Sequence, residues 1–136
     1  MPIDNDVINS RIAEAKEAIN ELLRLTSKPF SELSIEEKYS IKYNIILLVE
    51  SLISLCIHIA KERYDFVPKS YVDTVRFVAE KLGLKCVNDL VALVRLRNMI
   101  IHRYWIVDDY KIYVSIKNDF ECVEKLLKNI KGIKGE

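Results

Sequence analysis

The chain has 136 residues, half of them hydrophobic and 30% charged, which is enough apolar material for one packed core and sets the expectation of a single domain over 1–136. With 21 basic against 20 acidic residues the net charge is +1, so bulk electrostatics supply no pull towards nucleic acid, and any such binding has to rest on a local patch. Three Gly and three Pro leave little room for a sheet with many tight turns, and helices are expected instead.

The opening stretch MPIDNDVINS lacks the basic-then-apolar profile of a signal peptide. Apolar residues at Ile8, Ile12, Ala15, Ile19, Leu22 and Leu23 make one stripe on a helix from Asn5 to Leu25. Asp4 or Asn5 is its cap, and Pro29 ends it by disfavouring helical geometry at Lys28. Ser34 followed three residues on by Glu37 has the spacing of a capping box. It starts a second helix expected from about Ile35 to about Tyr64. The centre of that helix, Ile45–Val49, is apolar nearly all round, which implies burial on several sides or a face left over for a partner chain. The longest apolar run, Ile45 to Ala60, contains Glu50 and His58 and reads as too short and too polar for a membrane span of about 20 residues.

Ser70 caps a third helix with Val72, Val75, Phe77, Val78 and Leu82 as apolar positions and Gly83 closing it. Asn88 or Asp89 opens a fourth through Leu90, Val91, Val94 and Leu96. Asp108 or Asp109 opens the last, with Tyr113, Ile116, Phe120, Val123, Leu126, Leu127 and Ile130 on one face and a frayed tail at 131–136. Tyr110 and Tyr113 read as packing residues. Five helices with short connections predict an all-α, compact up-and-down bundle. The three cysteines, Cys56, Cys86 and Cys122, are odd in number and widely spaced among apolar neighbours. They read as small buried hydrophobes in a reducing cytoplasm, with neither a zinc site nor a disulfide framework and no cofactor. The Ile, Lys and Glu content is of the kind found in warm-growing or AT-rich sources.

The fourth helix ends in R-N-M-I-I-H-R-Y (Arg97–Tyr104), followed by Trp105. Asn98 and His102, four apart, share a helix face. Arg97 and His102, five apart, sit roughly 140° around the axis and converge only through the long arginine stem or a frayed helix end. Such a group can cleave a phosphodiester without a metal. His102 titrates near neutrality and suits proton transfer at a ribose 2′-hydroxyl or at the leaving oxygen. Arg97 can grip the phosphate, Asn98 can orient either partner, and Tyr104 and Trp105 can stack on a base. From the residues alone, an Arg and a His at a helix end more often cap C-terminal carbonyls and complement the helix dipole. Lys61-Glu62-Arg63 reads as a solvated helix end, and Lys125, Lys128, Lys131 and Lys134 as the wet face of the last helix.

R-N-M-I-I-H-R-Y resembles the R-x4-H-x-Y signature of the HepT-like branch of the HEPN superfamily. The flanks are similar too: Pro68–Lys81 to the segment before the motif helix, Val107–Tyr113 to the stretch after it, and Val49–Ile59 to the long second helix. The similarity spans roughly Tyr43 to Ile130. This resemblance implies an α-helical protein, commonly a homodimer with the R-x4-H motifs of two subunits in one cleft. It implies a metal-independent ribonuclease acting on RNA as the toxin of a toxin–antitoxin pair, with Arg97 and His102 catalytic and Asn98 supporting. The implied antitoxin is a nucleotidyltransferase of the MntA type that silences the toxin by attaching AMP to Tyr104. The alternative is a non-catalytic HEPN module that helps a nucleotidyltransferase bind nucleotide or substrate. One departure is Ser54, where relatives often carry an acidic residue. Glu50, Ser54 and His58 share a face at i, i+4 and i+8, so Glu50 is a candidate support for the site. Glu50 and His58 read equally as satisfied polar groups at a packing seam.

Overall fold

Side-chain caps set most helix starts in the computed structural model, which describes residues 3–103, 107–118 and 120–133, with backbone alone at 117 and 118. Helix α1 is Asn5–Leu25, and the Asp4 carboxylate accepts from the N–H groups of Asp6 and Val7. A short 3-10 turn at Phe30–Glu32 leads into α2, Ile35–Tyr64. Its capping box is complete: the Ser34 hydroxyl accepts from the Glu37 N–H at 3.1 Å, and the Glu37 carboxylate accepts from the Ser34 N–H at 2.9 Å. Lys28 also donates to Glu37 at 2.8 Å.

The Lys28 ammonium first, and the Ser34 amide second, hold the Glu37 carboxyl down at about 2. A depressed carboxyl stabilises the fold fully above its unfolded value and loses that contribution as pH falls through its folded value. The gap in stability between wild type and Glu37→Gln is therefore expected to close as pH drops from about 4.5 towards 2, in urea titrations at several pH values. A gap that stays constant over that window would rule out the linkage. Ser34→Ala is expected to cost about 1 kcal/mol at neutral pH.

Helix α3, Tyr71–Lys81, is capped by Ser70, whose hydroxyl accepts from the Asp73 N–H at 3.1 Å. Gly83, at φ 73°, closes it: its N–H reaches the Glu80 carbonyl while Leu84 N–H reaches Ala79, a pairing that needs a left-handed residue. At the end of α2, Asp65 takes the left-handed role at φ 53°. Phe66 then stacks on Phe77 with centroids 4.0 Å apart, and Tyr64 meets the same ring edge-on, so an aromatic cluster fixes α3 against α2.

Helix α4 is Val87–His102 with Cys86 as its N-cap, where Asn88 or Asp89 was expected to open it. Cys86 forms a disulfide with Cys122 on the last helix of the chain. This corrects the reading of all three cysteines as buried thiols. Only Cys56 is free, and it is fully buried. The expected last helix is two helices, α5 (Asp109–Asn118) and α6 (Glu121–Ile133), so the described residues hold six helices rather than five. Helix α6 continues to the buried Ile133, into the stretch read as a frayed tail; 134–136 lie outside the described residues.

Helix α2 is the spine. It packs on α1, α3 and α4, while α6 closes against α1 and α4. At 30 residues it is long and apolar enough to cross a bilayer, contrary to the reading as too short, but 61% of its most apolar stretch is buried inside the protein. Ile45, Leu48, Val49, Leu55 and Ile59 are wholly enclosed, which is why this helix is greasy all round. Lys42, buried at 5% exposure, pairs with Asp109 at 3.0 Å and ties α5 to α2. Tyr113 is buried and donates to the Thr26 carbonyl at 3.2 Å, which bears out its packing role.

Candidate functional site

Arg97 lies where α2, α3 and α4 meet. Leu90, Val91, Val94 and Ile100 bury one face of α4, and Arg97, more than a turn before its end, reaches Glu50 on α2. The Arg97 Nη2 donates to Glu50 Oε1 at 3.0 Å, and Nη1 donates to Asn98 Oδ1 at 2.9 Å. The arginine side chain is 14% exposed and its glutamate partner 50%. A guanidinium carries five N–H groups, so these two bonds leave three for other acceptors. One of them, on Nε, is buried without a partner among the described residues.

Tyr71, the first residue of α3, lies under the guanidinium, with the Arg97 Cζ 5.3 Å from its ring centroid. A cation over an aromatic face is held electrostatically as well as by contact. Glu50, Ile53, Ser54, Ile57, Tyr71 and Arg97 line an open cleft of about 390 Å³, inside the range of about 300–1,000 Å³ typical of small-ligand sites. Ser54 accepts from Arg11 Nε at 3.1 Å, and Arg11 in turn pairs with Glu14 at 2.9 Å, so a second arginine stands at the rim.

Of the residues singled out in the sequence, Arg97, Asn98 and Glu50 come together. Glu50 pairs with Arg97 between α2 and α4, and both line the cleft. His102 is the last residue of α4, exposed, and not among the residues lining this cleft. His58 belongs to the fold: its Nε2 accepts from the Asp4 N–H at 2.9 Å, beside the α1 cap. Tyr104 and Trp105 lie outside the described residues. Tyr71 and Arg11 escaped sequence reasoning. A tyrosine at the first position of a helix carries no periodic signal, and Arg11 sits beside an apolar stripe like any solvated residue.

The basic face of α6 is partly engaged. Lys125 pairs with Glu121 at 3.2 Å, while Lys128 and Lys131 border a second cleft with Lys16 and Glu124. Among the described residues no group of three or more His, Cys, Asp or Glu is arranged to hold a metal ion.

The family model described as Ribonuclease HepT-like matches residues 12–130. A comparison with the curated proteins finds no match. Solved structures share the fold, three of them as follows. A toxin–antitoxin crystal structure with AMP-PNP aligns at 21% identity and TM-score 0.82, over 93% of this chain and 98% of that one. A tri-AMPylated Shewanella oneidensis HEPN toxin in complex with MNT antitoxin aligns at 21% identity and TM-score 0.84, over 95% and 99%. The cytosolic protein of unknown function YutE from Bacillus subtilis aligns at 17% identity and TM-score 0.74, over 91% and 88%.

Proposed function

This chain belongs to the ribonuclease HepT-like family, and on that premise we propose that it is a metal-independent RNA endonuclease, the toxin of a toxin–antitoxin pair. The observation that supports this most is the Arg97 guanidinium, oriented by Glu50 and Asn98 at an open cleft with donors to spare. In this reading Arg97 binds the scissile phosphate and stabilises the charge that builds on its oxygens. His102 takes the proton from the ribose 2′-hydroxyl. The O2′–P bond forms, the P–O5′ bond breaks, and the leaving oxygen is protonated. The products are a 2′,3′-cyclic phosphate and a 5′-hydroxyl. The nucleophile comes from the substrate, so RNA is required and a metal-bound water is not.

Within one copy His102 stands apart from the Arg97 cleft, which is the one observation favouring a non-catalytic binding module instead. A homodimer resolves this if a second copy brings its motif across. Met99 and Ile101, 50% and 41% exposed beside His102, give α4 an apolar surface suited to such a contact. The partner is a nucleotidyltransferase of the MntA type, as the Shewanella oneidensis complex suggests by analogy. It would join the Tyr104 oxygen to the α-phosphorus of ATP and release pyrophosphate. AMP at Tyr104 would add negative charge two residues beyond His102 in the sequence and repel an RNA phosphate. The cytoplasm, where RNA and ATP are found, is the proposed location.

Expression of the full chain is expected to arrest growth, and the purified protein to cleave RNA with EDTA present. A harmless protein that cleaves nothing sinks the toxin reading, and cleavage lost in EDTA contradicts the metal-free mechanism. Co-expression with the nucleotidyltransferase should add AMP to Tyr104 by mass spectrometry.

A further inference from the structure

The cleft beside Arg97 has features that gripping a phosphate does not require. Its floor is apolar, from Ile53 and Ile57, and a phosphate gains nothing from them. Its wall is the ring of Tyr71, 45% exposed although Arg97 covers part of it. Ser70 caps the helix that carries this ring, and the Phe66–Phe77–Tyr64 cluster pins the same helix to α2, so the tyrosine is held by the fold. Opposite stands Glu50, with one oxygen on Arg97 and the other without a partner among the described residues. An aromatic wall, an aliphatic floor and a spare acceptor match a flat heteroaromatic ring that carries an amino group.

The geometry points to a nucleobase subsite: Tyr71, Ile53 and Ile57 seat one base of the RNA chain next to the phosphate held by Arg97, and Glu50 accepts from that base's exocyclic amine. This rests on the ribonuclease reading of the cleft and adds a selection rule to it. Adenine, cytosine and guanine present an amine on their pairing edge, whereas uracil presents only carbonyl oxygens on either side of its ring N–H. A carboxylate oxygen accepts freely from an exocyclic amine, whereas at uracil its only donor is a ring N–H flanked by two carbonyl oxygens that repel it. Stacking supplies affinity that tolerates any base, and Glu50 supplies the discrimination. Arg97 links the two, since it touches both the ring and the carboxylate.

The test uses full-length His102→Ala, so that RNA stays intact and the cleft residues are unaltered. Binding of fluorescent trinucleotides is measured by anisotropy for rA3, rC3, rU3 and an abasic trimer, with free AMP as competitor. The expected order places rA3 and rC3 about 5-fold or more above rU3, with the abasic trimer weakest. Tyr71→Ala should weaken rA3 by about 5- to 150-fold and leave the abasic trimer unchanged, while Tyr71→Phe keeps the affinity. Glu50→Gln should narrow the gap between rA3 and rU3. Equal binding of abasic and base-bearing trimers by the protein with Tyr71 intact overturns the inference, whatever the variants do. Competition by AMP at the affinity of the trimer also overturns it, by assigning the site to free nucleotides. If the protein with His102 intact cleaves no RNA but base-dependent binding persists, the ribonuclease reading falls and the subsite stands. If it cleaves RNA and binds abasic trimers equally well, only the subsite falls.

Discussion

His102→Ala is expected to lower RNA cleavage by about 10²–10⁴-fold, the usual worth of a positioned acid–base group. Its effect on stability should stay within about 0.5 kcal/mol, because the imidazole is exposed at the end of α4. Activity and folding therefore separate cleanly at this position. Arg97→Ala should cost about 10²–10³-fold through lost charge stabilisation. Arg97→Lys should recover little of it. An ammonium cannot hold Asn98, Glu50 and a phosphate oxygen in one plane as the guanidinium fork can. The two alanine variants also report on the dimer. Mixed subunits carry one intact Arg97 and one intact His102 on different copies, so mixing inactive Arg97→Ala with inactive His102→Ala should restore part of the cleavage. Cleavage unchanged in His102→Ala would remove the imidazole from the mechanism. No recovery on mixing, with subunit exchange verified, would mean that each copy works with its own pair.

The second large effect concerns the covalent bond between Cys86 and Cys122. They are separated by 36 residues, and a loop of that size gives a chain-entropy contribution of about 4 kcal/mol. Urea unfolding with and without reductant, or of Cys122→Ser, should show a destabilisation of that order. The thiol count gives an independent check. Cys56 is the one free cysteine, and burial pushes its thiol up to about 12. The native protein should leave a thiol reagent unreacted, the denatured unreduced protein should show one thiol, and reduction should reveal all three cysteines. Three thiols in the unreduced denatured protein would exclude the bond.

The parts of the fold legible in the sequence are those with local causes. The bounds of α1 and α2 follow from Asp4, Pro29, the Ser34–Glu37 box and the chain break at Asp65–Pro68, all within a few residues of what they control. The Cys86–Cys122 bond was missed because it joins α6 to the start of α4, and three widely spaced cysteines do not reveal which two pair. The break between α5 and α6 was missed for a different reason. Tyr113, Ile116, Phe120, Val123, Leu126, Leu127 and Ile130 are all buried, so the apolar pattern keeps its phase across the break. A periodicity argument sees one helix where there are two. At the site, the motif marked Arg97 and Asn98, and helical spacing marked Glu50. The bond between Arg97 and Glu50 joins residues 47 apart and depends on how α2 packs against α4. Tyr71 needed the tertiary structure altogether.

Helix α4 is anchored unevenly. Its first residues are fastened covalently to α6 through Cys86, and Leu90, Val91 and Val94 sink into the core behind that point. At the other end Met99, Ile101, His102 and Arg103 face outwards. Between these outward residues only Ile100, wholly enclosed, holds the last turn to the core, whereas the first turns are held by a covalent bond and three buried side chains. An event at the tip, such as a second subunit docking or a group attached just beyond it, can shift His102 while the clamped end holds the core in register. On the proposed ribonuclease reading, activity is governed at one end of the helix while the disulfide secures stability at the other.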